Sequence, residues 1–109
     1  MSETLTDDIV LCRASDVPEG GALKVELDGR APLAVFRVGG HFFVTDDTCT
    51  HGDASLSEGE LDAEDMVVEC PWHSGAFELA TGKPCGAPCT IPLKVHRFEL
   101  RGGDIVLVA

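Results

Sequence analysis

No apolar run in this 109-residue chain approaches the about 20 residues that a bilayer-spanning helix needs. Its first eight residues, Met1 to Asp8, are acidic and carry neither an apolar stretch nor paired arginines, so they do not read as a secretory leader. Basic residues are scarce: 8 Lys and Arg stand against 19 Asp and Glu, a formal charge of −11. Nucleic acid and anionic membranes repel such a chain, and a basic protein surface is its natural counterpart. No segment keeps a 3.6-residue apolar period, and there is no repeat, linker or low-complexity tract. These absences predict a soluble, cytoplasmic monomer with no nucleic-acid or membrane partner. Residues 1–109 are expected to form one domain, long enough to bury roughly two-thirds of the unfolded surface in one core. The cysteines number five, and in a reducing compartment an odd set is more often ligands or buried thiols than disulfides.

What is present is strand periodicity. Ile9-Val10-Leu11-Cys12 is a short apolar run, with Cys12 expected to be buried, and Asp16 to Gly21 supplies turn chemistry after it. Ala22 to Leu27 alternates and ends at Asp28-Gly29, a hairpin signal. Leu33 to Val38, Gly39-Gly40 and His41 to Thr45 make a second hairpin, and these strands are expected at the edges of a β-core. Leu56 to Leu61 reads as a short ribbon and Met66 to Glu69 as an apolar strand. Ala76 to Leu79 follows, then a turn at Thr81 to Pro84. Val95 to Leu100 and Ile105 to Val108 flank Arg101-Gly102-Gly103-Asp104, the clearest hairpin of all. Short strands with Gly and Pro turns predict an all-β antiparallel sandwich or small barrel.

Two ligand-type pairs stand out: Cys49-Thr50-His51 and, after eighteen intervening residues, Cys70-Pro71-Trp72-His73. One Cys and one His from each of two loops give two thiolates and two imidazoles, a set that suits a four-coordinate zinc or an iron-sulfur centre. Zinc modules usually open with two cysteines on one turn, which the Cys-x-His opening does not provide.

The combined spacing closely resembles the Rieske signature, in which two histidines replace two cysteines on one iron of a 2Fe-2S cluster. By that resemblance Cys49 and Cys70 bind one iron, and His51 and His73 the other. The resemblance covers nearly the whole chain. It implies the Rieske fold, a β-base with a cluster-binding subdomain inserted from about Asp46 to Leu79, and a proline loop over the cluster at Gly86-Ala87-Pro88. Within the family the chain is most similar to the small ferredoxins of bacterial aromatic-ring-hydroxylating dioxygenase systems. Such a ferredoxin is not an enzyme. It carries single electrons from an NAD(P)H-dependent flavoprotein reductase to a terminal Rieske oxygenase. Respiratory and photosynthetic relatives have extra cysteines where this chain has Ala54 and Trp72. High-potential relatives have hydroxyl side chains at the positions of Gly75 and Phe77, so a low potential is expected here. The alternatives are a detached Rieske module of an oxygenase, for which no 2-His-1-carboxylate set remains, and a zinc-binding interaction module.

The other reactive residues receive plainer roles. His41 and His96 are read as surface or half-buried strand residues. Trp72 is either a core aromatic or a residue that shields the cluster or rests against an electron-transfer partner. Cys85 and Cys89 have one residue too many between them for a thioredoxin-like motif; reduced structural thiols are favoured over a disulfide or redox pair. Between the second hairpin and Cys70 fall Asp46, Asp47, Asp53, Glu58, Glu60, Asp62, Glu64, Asp65 and Glu69, with no Lys or Arg among them. They form either a solvated face or a docking surface for a basic redox partner.

Overall fold

A computed structural model describes residues 8–50, 54–71, 75–86 and 91–108. Its strands are β1 (Ile9–Arg13), β2 (Gly21–Val25), β3 (Leu33–Val38), β4 (His41–Asp46), β5 (Leu61–Asp62), β6 (Val67–Glu69), β7 (Ala76–Glu78), β8 (Pro84–Gly86), β9 (Phe98–Arg101) and β10 (Asp104–Leu107). They form three antiparallel sheets, ordered β1-β10-β9, β2-β3-β4 and β5-β6-β7-β8. No α-helix occurs among the described residues; the only helical turns there are 3₁₀, at Ala14–Asp16 and Leu56–Glu58. The all-β expectation is met.

The tightest hairpins follow their turn residues. Gly39 and Gly40 (φ 59° and 84°) join β3 to β4, and Gly102 and Gly103 (φ 58° and 88°) join β9 to β10. Two successive left-handed residues are what a turn matching the strand twist requires, and glycine adopts them without a Cβ clash.

The strand β3 organises the packing. Its side chains alternate between two cores, so both faces are buried. Leu33 and Val35 join Leu11, Val17, Val25, Val44, Ile105 and Leu107 between the first two sheets. Ala34, Phe36 and Val38 face the other way, onto Leu56, Val68, Phe77, Leu79 and Leu93. The hairpin strands are therefore not all edges of the core: β3 is the central strand of its sheet.

Other details differ from the sequence reading. The ribbon expected over Leu56 to Leu61 is a 3₁₀ turn followed by the two-residue β5, because Leu56 is drawn fully inward and its carbonyl accepts from Gly59 N–H at 2.9 Å. Pro84–Gly86, read only as turn and loop, pairs with β7. Cys12 is half-buried rather than buried, since β1 lies at a sheet edge with a register shift between Val10 and Cys12.

Candidate metal centre

Both motif cysteines end in the same core. Cys49 and Cys70 are each 3% exposed and belong to the cluster that contains Ala34, Phe36, Leu56, Val68 and Phe77. Each stands at the base of a loop closed by the same backbone bond. Cys49 N–H donates to the Ala54 carbonyl at 2.9 Å, and Cys70 N–H donates to the Gly75 carbonyl at 2.8 Å. Each bond spans five residues, so each loop begins with a buried thiol and encloses one motif histidine. His51 and His73 themselves lie outside the described residues, as do Trp72, Asp53, Ala87, Pro88 and Cys89. Two sulfurs held in one water-excluding cluster, with an imidazole two or three residues further along each loop, fit a Cys₂His₂ 2Fe-2S centre. Among the described residues, which exclude both motif histidines, no group of three or more His, Cys, Asp or Glu is placed to hold a metal ion.

The two loops are supported differently. The second continues the β6–β7 pair, with Glu69 opposite Ala76 and Glu69 N–H bonded to the Glu60 carbonyl at 2.8 Å. The first follows β4 and is closed by side chains. Asp47, 1% exposed, accepts from Ser57 N–H at 2.9 Å and from the Ser55 hydroxyl, while its own carbonyl accepts from Leu56 N–H at 2.7 Å. Thr50, between the two motif residues, donates its hydroxyl to the Ile91 carbonyl at 2.8 Å. Leu93 N–H reaches the Gly82 carbonyl at 2.7 Å, where a Cβ on Gly82 would overlap the Leu93 carbonyl oxygen.

Sequence reasoning missed this clasp. Asp47 was grouped with the solvated or docking acids, but it is a buried structural acceptor. Asp46 is also engaged: its carboxylate lies 2.7 Å from His96 Nε2, so His96 is a half-buried structural imidazole, whereas His41 is exposed. Asp62 caps a turn by accepting from Glu64 N–H and Asp65 N–H at 3.0 and 3.2 Å. The acids that remain outward include Glu58, Glu60, Asp62, Glu64, Asp65 and Glu69. Four of them line a groove of about 390 Å³ together with Leu61, Ala63 and Val67.

Cys85 is exposed on the edge strand β8. What burial it has, and then the charges of Glu78 and Asp65, push its thiol above the ordinary value. That favours the protonated, slow nucleophile over a redox thiolate.

Comparison with known proteins gives concordant results. The model of the Rieske [2Fe-2S] domain matches residues 7–98. Ferredoxin CarAc of Metapseudomonas resinovorans is 53% identical over 95 residues, covering 87% of each chain. The ferredoxin component of the p-cumate 2,3-dioxygenase system of Pseudomonas putida is 48% identical over 102 residues, covering 93% of this chain and 85% of its own. Among solved structures, a chain in the complex of reduced oxygenase and oxidized ferredoxin in carbazole 1,9a-dioxygenase superposes with a TM-score of 0.86. It is 50% identical, over 93% of this chain and 92% of that one. The Sphingomonas yanoikuyae B1 ferredoxin gives a TM-score of 0.88 at 36% identity, over 94% and 99%.

Proposed function

Because the chain belongs to the Rieske [2Fe-2S] family, we propose that Cys49 and Cys70 bind one iron of its cluster and that His51 and His73 bind the other. The cofactor is one Rieske 2Fe-2S cluster, which supplies a reversible one-electron step at a potential raised by its neutral imidazole ligands. The chain is an electron carrier and not itself an enzyme, which sets aside the zinc-module and detached-oxygenase readings. In this proposal its electrons come from an NAD(P)H-dependent flavoprotein reductase and go to the terminal Rieske oxygenase of an aromatic-ring dioxygenase system, all in the cytoplasm.

One observation carries the ligand assignment: Cys49 and Cys70 are buried in a single core cluster at matching positions of two loops closed by matching bonds. The protein's own work is to fix those loops. The β6–β7 pair holds one and the Asp47 clasp the other, while Phe36, Leu56 and Phe77 exclude water behind the sulfurs. Gly75 and Phe77, both buried, bring no side-chain hydroxyl to that core, which supports a potential low in the range of Rieske centres. The outward acids of the β5–β6 groove would orient a basic partner.

The test is iron and acid-labile sulfide analysis with a visible spectrum, followed by stopped-flow reduction with NADH and a flavoprotein reductase. Two irons and two sulfides per chain, with reduction that slows as salt shortens the Debye length from about 10 Å at 0.1 M to about 3 Å at 1 M, are expected. A colourless zinc protein would overturn the cofactor reading. A salt-independent rate would remove the acids from docking.

A further inference from the structure

Asp47 stands two residues before Cys49 and is a buried acid, 1% exposed. Among the described residues, the groups bonded or paired with its carboxylate are donors: Ser57 N–H at 2.9 Å, the Ser55 hydroxyl, and Lys24 Nζ at 3.9 Å. The Lys24 side chain is 41% exposed and that of Asp47 only 2%. Water therefore screens the cation far more than the anion. Consecutive Cα atoms lie 3.8 Å apart, so the Asp47 and Cys49 Cα atoms can be no more than about 7.6 Å apart. Reduction by one electron, taken from the reductase and passed on to the oxygenase, adds one unit of negative charge at this end of the molecule.

We propose that Asp47 is a positioning residue that clasps the first ligand loop and whose buried charge holds the reduction potential down, with Lys24 acting in the opposite sense. This rests on the assignment of Cys49 as a ligand. The clasp explains why a carboxylate is used where a neutral acceptor would close the loop equally well: the loop is held and its electron affinity is set by one side chain. A purely structural Asp47 would leave the potential where it is once an isosteric acceptor replaces it.

The experiment is film voltammetry on the purified cluster-loaded protein, the electrode supplying the electron, with iron content and visible spectrum measured on the same samples. Asp47→Asn keeps an acceptor for Ser57 N–H and removes the charge. It should raise the midpoint by the equivalent of about tenfold in the reduction equilibrium, about 59 mV for one electron. Lys24→Met removes the cation and should lower the midpoint, by a smaller amount because that ammonium is partly in water. Opposite shifts with iron retained support the proposal. No shift, or shifts of the same sign, overturn it. If Asp47→Asn does not hold its cluster, Lys24→Met alone decides: an unchanged midpoint overturns the proposal. Iron retained by Cys49→Ser would instead overturn the ligand assignment, a separate outcome from any result on Asp47.

Discussion

The loops that follow Cys49 and Cys70 solve one problem by different means. Each starts at a buried cysteine and closes on the residue five positions later. The second grows from the β6–β7 pair, so main-chain pairing that any sequence can make fixes both its ends. Beneath it, among the described residues, the first has no strand pair, but the isolated bridge between Thr48 and Ser55 and the bond from Leu56 N–H to the Asp47 carbonyl at 2.7 Å. Its missing ladder is replaced by side chains, with Asp47 reaching Ser55 and Ser57 and Thr50 reaching Ile91. A loop held by backbone tolerates side-chain changes and is sensitive to added volume, whereas a loop held by side chains has the opposite sensitivity.

The largest effect should come from removing what joins the loops. Cys70→Ser is expected to lose iron and colour and to unfold at markedly lower temperature, because metal binding in such sites contributes directly to folding. Iron analysis and thermal unfolding check this, and retained iron would remove Cys70 from the ligand set. Next comes added volume under the second loop. A Cβ on Gly59 would overlap the Glu69 carbonyl oxygen, one residue before Cys70. Gly59→Ala should cost about 3 kcal/mol in denaturant unfolding, the upper end for forced overpacking. A neutral result would show that β5 and β6 can part without disturbing the loop. Asp47→Ala attacks the first loop and should cost about 2 kcal/mol, since it leaves the Ser57 N–H without its acceptor. Equal sensitivity of both loops to deletion of a side chain would erase the contrast. Smallest is Thr50→Val, which deletes one exposed hydrogen bond and should cost about 1 kcal/mol or less, with Thr50→Ser keeping most of it.

Much of this architecture was legible in the chain because its signals are local. Paired glycines announce the β3–β4 and β9–β10 turns, and alternation announces the strands beside them. The spacing of the two Cys/His pairs marked out Cys49 and Cys70, and both lie in one core cluster. What escaped reading depends on partners distant in sequence. Asp47 looks like one acid in a run of acids until Lys24, Ser55 and Ser57 come together around it. Strand β8 begins with a proline, a poor strand former, and is recruited only because β7 offers an edge. The 3₁₀ turn at Leu56 exists because the core beneath β3 takes that side chain.

The ends of the excursion that carries both loops meet on β4. Asp46 N–H bonds the Lys94 carbonyl at 3.0 Å, His96 N–H bonds the Val44 carbonyl at 2.8 Å, Thr45 bridges Val95, and the Asp46 and His96 side chains join beside them. This seam shortens the folding problem. Once it zips, the roughly fifty residues between become a ring anchored on finished sheets, and the entropy of closing a ring rises only with the logarithm of its length. The base has one core of its own between its first two sheets, so it can form before the ring packs onto the other face of β3. Amides of β3, β4 and β10 should therefore reach full hydrogen-exchange protection in the iron-free chain, ahead of those in β6 and β7. A newly made molecule would then meet its iron as a finished platform bearing an open ring, ready for cluster delivery as the closing step of assembly.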